Sequence, residues 1–96
     1  GKDEHLRCCH GRAEQRLAIF LLGMSARYQA RGLQADVFNL PMSRGDIANY
    51  LDLTQETVSR LFSRFVHAGF MLCAGREVRL IDMQGLVNLT RLEEPT

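Results

Sequence analysis

Several common signatures of function are scarce in this chain of 96 residues. Its formal net charge is only +1, so the overall charge does not indicate a nucleic-acid partner. The apolar runs are too short and too interrupted for a membrane span, and no signal-peptide pattern opens the chain. We therefore expect a cytoplasmic protein with no membrane partner. No group of His, Ser, Asp or Cys has the spacing of a catalytic site, which argues against an enzyme.

Cysteine is also scarce and does not form a framework. Cys8 and Cys9 are adjacent and Cys73 is distant, and this odd number indicates reduced thiols rather than disulfides. His5 and His10 lie close to the first pair, but the spacing matches no common zinc-ligand pattern. We therefore predict that the chain binds no metal.

The chain does contain two neighbouring helical segments joined by a very short turn. The first spans residues 43–51, with Ser43 as its N-cap. Asp52 lies in the turn, where a left-handed residue is often needed, and Thr54 caps a longer helix that Gly69 should end. A turn of this length is typical of a helix-turn-helix, whose second helix enters the major groove of DNA.

The second of these helices has two unlike faces. Its apolar residues recur at i, i+3, i+4, i+7 and i+8, and they are Val58, Leu61, Phe62, Phe65 and Val66. Glu56, Ser59 and Arg60 lie on the opposite, polar face. A guanidinium matches the O6 and N7 acceptors of guanine, and a carboxylate accepts from the amino group of cytosine or adenine. We predict that these three residues read bases; an exposed salt bridge between Glu56 and Arg60 is the alternative.

Other residues are candidates for less specific contacts. Gln55 and Thr57, at the start of the same helix, could reach a base or the DNA backbone. The candidates for phosphate contacts are Ser43, Arg44, Arg64, Arg76 and Arg79. Each of these residues is as consistent with a solvated surface as with DNA. From Arg60 to Arg79 four arginines stand against one acid, which predicts a local positive field.

The flanking segments predict the rest of a small domain. The expected elements are a helix over residues 12–31, a strand over 37–40, two hairpin strands over 70–73 and 78–81, and a last helix from Asp82 to Leu89. Gly23, inside the first helix, suggests that another backbone packs close to it. A hairpin that follows a helix-turn-helix makes a winged helix. The predicted fold is therefore mainly α with a small β-hairpin.

The central segment closely resembles a known family. Residues 38–61 read FNLPMSRGDIANYLDLTQETVSRL, which is similar to the C-terminal domain of Crp/Fnr transcription regulators. The likeness extends from about residue 13 to about residue 89, nearly the whole chain. Glu56-x-x-Ser59-Arg60 resembles the Fnr branch, because the cyclic-AMP receptor branch has an arginine where this chain has Gln55. One departure is Asp52, where relatives usually have glycine.

The resemblance implies a partner and a mode of binding. It implies a winged-helix domain that binds double-stranded DNA, with Glu56, Ser59 and Arg60 reading a TTGAT-like half-site within an inverted repeat. It also implies that the full-length protein is a homodimer. The segment that contains Leu33, Gln34 and Phe38 resembles a loop that touches RNA polymerase, although a plain connector is an equal alternative.

The resemblance further implies that an input part is missing. We expect residues 1–11 to be a remnant of the linker and dimerisation-helix region, residues 12–90 to be the DNA-binding domain, and residues 91–96 to be a frayed tail. Fnr proteins hold an iron–sulfur cluster mostly through cysteines of the absent sensor domain. The cysteines of this chain do not match those ligands, so we expect no cofactor here, and a sensor ligand or cluster only in the longer protein.

A second class of function stays open. The near-neutral charge is also compatible with a winged-helix module that binds another protein and no DNA. Salt separates the two classes, because DNA binding weakens steeply as salt rises.

Overall fold

Four helices and three short strands make up the part of the chain that the computed structural model describes, which is the backbone of residues 2–91 and the side chains of residues 12–91. In chain order they are α1 (Lys2–Ala30), β1 (Val37–Asn39), α2 (Arg44–Leu51), α3 (Gln55–His67), β2 (Met71–Ala74), β3 (Glu77–Leu80) and α4 (Met83–Leu89). This is the predicted winged helix-turn-helix. Of the tail predicted over residues 91–96, residues 92–96 lie outside the described residues.

The two helices of the helix-turn-helix begin at the predicted caps. The Ser43 hydroxyl accepts a hydrogen bond from the Asp46 amide at 3.2 Å, and the Thr54 hydroxyl accepts one from the Thr57 amide at 3.1 Å. Each bond satisfies an N–H group that has no partner within its helix. Asp82 caps α4 in the same way, as predicted.

Left-handed residues end both of these helices. Asp52 follows α2 with φ 62° and ψ 45°, and in the described chain it is the only residue other than glycine with a positive φ. Gly69, with φ 83°, follows the Ala68 cap of α3. The next amide, that of Phe70, donates to the Phe65 carbonyl at 3.0 Å, which turns the chain toward β2.

The core is centred on the apolar stripe of α3. Val58, Leu61 and Phe65 are at most 2% exposed, and Phe62 is 5% exposed. The helix packs against α1, α2 and β2. From α1, the fully buried residues that join this core are Leu17, Ala18 and Leu21. Burial of a large apolar side chain contributes about 1.5–3 kcal/mol, so this stripe fixes the rotation of α3 about its axis.

The predicted hairpin forms the centre and one edge of a three-stranded antiparallel sheet. The strand order is β1-β3-β2, with Phe38 opposite Val78 on one side and Cys73 opposite Val78 on the other. The strand predicted near residue 37 is confirmed, and it pairs with β3. Phe38 and Val78 are both buried, so pairing places apolar side chains of β1 and β3 in the core.

Two details of α1 differ from prediction. The helix begins at Lys2, not at residue 12, and residues 2–11 contain no proline that would interrupt it. The close backbone predicted beside Gly23 is also wrong, because a Cβ at this position would meet nothing within 4 Å. A glycine inside a helix costs about 1 kcal/mol relative to alanine, and packing within the described domain does not explain it. No helix of the described chain is long and apolar enough to cross a membrane.

The turn between α2 and α3 gives a first prediction. Glycine adopts the conformation of Asp52 without steric cost, and its introduction removes an acid from the negative end of the α2 dipole. We expect Asp52→Gly to raise the free energy of unfolding by up to about 1 kcal/mol, although glycine's greater freedom in the unfolded chain offsets part of the gain. Urea unfolding, monitored by circular dichroism, measures this change in the free energy of unfolding. Asp52→Asn is the control that removes the charge alone. An Asp52→Gly variant that is less stable than both the parent chain and Asp52→Asn would contradict this explanation.

Candidate nucleic-acid interface

The outward face of α3 carries the residues predicted to read bases. Glu56, Ser59 and Arg60 are all exposed, whereas Val58 and Leu61, between and beside them, are buried. The rotation of α3 that the core requires therefore turns these three polar side chains to solvent. The predicted orientation is confirmed.

Glu56 and Arg60 form an ion pair on this face. Glu56 Oε2 and Arg60 Nη2 are 2.8 Å apart, and their side chains are 74% and 75% exposed. An exposed pair at this spacing contributes only a few tenths of a kcal/mol to stability. The contact uses one carboxylate oxygen and one guanidinium nitrogen, so both groups keep hydrogen-bonding capacity for a base. The arginine also lowers the cost of bringing an acid close to a polyanion.

The side chains of Gln55 and Thr57, in the first turn of α3, make contacts within the domain that the sequence does not indicate. Thr57 is half-buried, and its hydroxyl accepts a hydrogen bond from the Thr54 hydroxyl at 2.8 Å. Gln55 is exposed and rests on α2, with its Oε1 3.4 Å from where a Cβ on Gly45 would lie. Of the two, Gln55 has its side chain at the surface, between the start of α2 and the start of α3.

Arg44 links α2, α3 and the wing, defined here as β2, β3 and the turn between them. Its Nη2 donates to the Gly75 carbonyl at 2.9 Å and lies 3.1 Å from Cys73 Sγ. Its guanidinium carbon lies 4.1 Å from the centroid of the Phe62 ring, a cation–π contact. Arg44, a predicted phosphate-contacting residue, is thus held by three contacts within the domain. These contacts fix the turn of the wing against α3.

Arg64 is also held from within the domain. Its Nη1 lies 2.9 Å from Glu14 Oε2 on α1, and the two side chains are 50% and 14% exposed. With Arg60 paired as well, two of the four arginines counted between residues 60 and 79 have acidic partners. Arg76 and Arg79 are exposed, and neither forms an ion pair among residues 12–91. The local positive field predicted from the sequence is therefore weaker than the arginine count indicates.

A shallow concavity lies between α3 and the wing. Its volume is about 340 Å³, and Arg44, Ser59, Ser63 and His67 provide its polar lining. Ser43, at the start of α2, is partly buried, and its hydroxyl is engaged as the cap. The polar concavity and the outward face of α3 share Ser59, and together they give this side of the domain its hydrogen-bonding character.

The three residues predicted to contact RNA polymerase from the loop between α1 and β1 differ in their exposure. Leu33 is 51% exposed and Gln34 is exposed, so both side chains are available to a partner. Phe38 is 2% exposed and packs against Tyr28, with ring centroids 5.4 Å apart. Its assignment as a polymerase contact is wrong, because this side chain belongs to the core.

The described residues offer no group of ligands for a metal. No three side chains of His, Cys, Asp or Glu come together among residues 12–91. His5, Cys8, Cys9 and His10 lie outside the described side chains. The expectation that the chain holds no metal or cluster stays a prediction, since these four residues are the ones that bear on it.

Sequence reasoning missed the partners that hold the arginines. Glu14 contacts Arg64, although the two residues are distant in sequence. Arg44 contacts the Phe62 ring, which the sequence assigns only to the core, and the Gly75 carbonyl, which is distant from it in sequence. An acid on a predicted helix and a carbonyl in a predicted turn carry no signal that identifies their partners. The fold and this face together define the winged helix-turn-helix class of DNA-binding domain.

Comparison with known proteins places the chain within that class. Residues 15–89 match the Crp-like helix-turn-helix domain, and the chain belongs to this family of transcription-regulator domains. It is 59% identical over 78 residues to the transcriptional regulatory protein btr of Bordetella pertussis, covering 81% of this chain and 32% of that protein. It is 52% identical over 77 residues to the transcriptional activator protein FnrA of Stutzerimonas stutzeri, covering 80% and 32%. The chain spans about a third of the length of these curated relatives.

Solved structures agree with the fold. The structure of FixK2 from Bradyrhizobium japonicum matches with a TM-score of 0.71 and 44% identity, over 80% of this chain and 37% of that one. The catabolite activator protein of Thermus thermophilus matches with a TM-score of 0.69 and 20% identity, over 93% and 38%. At 20% identity this second match shows the fold alone. The predicted resemblance to Crp/Fnr regulators is confirmed.

The contacts of Arg44 give a second prediction. Arg44→Met keeps the length of the side chain but loses the hydrogen bonds and the cation–π contact, so we expect the free energy of unfolding to fall by about 1–2 kcal/mol. Arg44→Lys keeps the charge but lacks the planar guanidinium that makes these contacts. It should therefore recover only part of the lost free energy of unfolding. Chemical denaturation measures both variants. The matched control is Arg79→Met on the exposed face of β3, where we expect a change below about 0.5 kcal/mol. A lysine variant as stable as the parent would show that charge alone matters at this position.

Proposed function

We propose that this domain binds double-stranded DNA in a sequence-specific manner, with α3 in the major groove. The proposal places Glu56, Ser59 and Arg60 against the bases of a TTGAT-like half-site. The observation that carries it is the exposed Glu56–Arg60 pair on a helix whose opposite face is fixed in the core. A helix held in this way presents the same three side chains in every molecule, which a sequence-reading surface requires.

Each of the three residues has a role that its chemistry allows. Arg60 donates two hydrogen bonds to O6 and N7 of the guanine. Glu56 accepts from an amino group of cytosine or adenine, and Ser59 donates, accepts or contacts a thymine methyl group. The ion pair holds Arg60 beside Glu56 before DNA arrives, and this reduces the side-chain freedom that is lost on binding.

Phosphate contacts come from the rim of the same face. Of the candidate arginines, Arg76 and Arg79 are the two that are exposed and form no ion pair among residues 12–91, so their guanidinium groups are available to a phosphate. The amides at the Ser43-capped start of α2 can add a hydrogen bond to a phosphate. Arg44 and Arg64 contribute mainly by holding α3 and the wing, since their guanidinium groups have internal partners.

The active form of the protein is a homodimer on an inverted repeat. Support comes from the likeness to Crp/Fnr regulators, and the two half-sites then lie about one DNA turn apart. The exposed loop around Leu33 and Gln34 contacts RNA polymerase in this proposal; its support is the resemblance and the 51% exposure of Leu33.

Substitution of Arg60 tests the proposal. We expect Arg60→Ala to weaken binding to a TTGAT inverted repeat by about 1–3 kcal/mol and to relax the preference for guanine at one position. Arg60→Lys should keep the charge and lose the selectivity, because an ammonium group cannot match the guanine fork. Arg91→Ala, which removes the same charge at an exposed residue outside the proposed DNA contacts, is the matched control. Mobility shifts with the domain presented as a dimer provide the measurement. If Arg60→Ala binds as tightly and as selectively as the parent, the base-reading role is wrong.

Salt dependence separates this function from a protein-only interaction module. We expect the logarithm of the association constant to fall linearly with the logarithm of salt concentration. Arg76→Ala should reduce that slope by about 1 and weaken binding to all sequences alike. Titrations at several salt concentrations measure both effects. Absence of any shift with the dimeric protein at low salt would favour the module that binds no DNA.

A further inference from the structure

A second surface lies on α1 and α2, and the proposed DNA contacts do not use it. It is a groove of about 470 Å³, called here the α1–α2 groove. Its lining includes Arg16, Ile19, Phe20, Gly23 and Arg27 of α1, and Arg31, which directly follows that helix. Their spacing of three to four residues places them in one stripe along the helix. Tyr50, from the end of α2, forms part of the opposite wall.

The walls of this groove are apolar and open to solvent. Ile19 is 55% exposed and Tyr50 is 69% exposed. Phe20 packs against Tyr50 with ring centroids 5.7 Å apart, so the two aromatic rings form one continuous apolar wall. Exposed apolar side chains that are grouped in a concave surface mark an interaction site more often than isolated ones do.

The charges around the groove have one sign. Arg16, Arg27 and Arg31 line it, and its lining includes no acidic residue. Arg16 donates to the Leu51 carbonyl at 3.1 Å, whereas neither Arg27 nor Arg31 has a hydrogen-bond or ion-pair partner among residues 12–91. A partner that fits this surface must therefore combine apolar groups with negative charge.

Gly23 lies in the middle of the stripe. A Cβ at this position would meet nothing within 4 Å, so the glycine is not required by packing inside the described domain. The absence of a side chain deepens the groove at this point and lets another backbone approach α1. This explains a residue that is otherwise unfavourable inside a helix.

We propose that the α1–α2 groove binds an acidic amphipathic helix of a partner protein. From Arg16 to Arg31 the stripe extends about 22 Å at 1.5 Å per residue, which matches a helix of about 14–16 residues. Apolar side chains at i, i+3, i+4 and i+7 of the partner would contact Ile19, Phe20 and Tyr50, and acids beside them would meet the arginines. A second copy of the groove is a poor occupant, because it would present the same three positive charges.

Selection from a displayed library of randomised 16-residue helical peptides, with this chain as the target, tests the proposal. We expect enrichment of sequences that combine apolar residues at helical spacing with Asp or Glu. In ¹⁵N–¹H correlation spectra, a selected peptide should shift the amides of residues 16–31 and 42–51 more than those of α3. The same peptide with Gln in place of its acids should bind at least tenfold more weakly.

Variants of the chain complete the test. Arg27→Glu should weaken the selected peptide at least tenfold, whereas Arg91→Glu, the same change of charge outside the groove, should not. Gly23→Gln fills the centre of the groove and should also weaken binding; a thermal melt shows that this variant is folded. The proposal would be overturned by a selection that gives no binders or gives binders without acidic enrichment. It would also be overturned by amide shifts centred on α3, or by equal effects of Arg27→Glu and Arg91→Glu on binding. Competition by duplex DNA for the same amides would assign the groove to nucleic acid instead.

Discussion

Burial of the apolar stripe of α3 is the constraint on which the rest of this structure depends. Val58, Leu61, Phe62 and Phe65 are nearly inaccessible to solvent, and a helix that hides these positions must expose residues 56, 59, 60 and 63. The energies have very different sizes. Each buried side chain contributes about 1.5–3 kcal/mol, whereas the exposed Glu56–Arg60 pair contributes a few tenths. The core therefore sets the orientation of the polar face, and the ion pair only arranges two side chains on it.

Local features of the fold could be predicted from the sequence because their causes are local. The caps at Ser43, Thr54 and Asp82 each involve a side chain and an amide three residues away. The left-handed turn at Asp52 follows from the short connection between two helices. The faces of α3 follow from the helical period. The chemistry and spacing of Glu56, Ser59 and Arg60 predict base contacts with a salt bridge as the alternative, and the family resemblance supports the first of these.

The remaining features depend on contacts between distant parts of the chain. The sequence indicates that Arg44 and Arg64 are basic and exposed, but it does not show that a carbonyl in the wing and an acid on α1 lie beside them. The resemblance of its segment to a partner-binding loop predicts an exposed Phe38. Pairing of β1 with β3 turns its side chain into the core. In each case tertiary packing decides, and a single sequence gives no direct signal of it.

The attachments of α3 have a consequence for how its affinity for DNA can be regulated. Arg64 ties the helix to Glu14 on α1, and Phe62 lies under the guanidinium that also holds the wing. The apolar stripe adds a much larger restraint. A recognition helix anchored on three sides does not turn or slide alone within its domain. Under the proposed function, a signal from elsewhere in a longer protein would accordingly act by moving the whole domain as a rigid unit rather than by changing its shape.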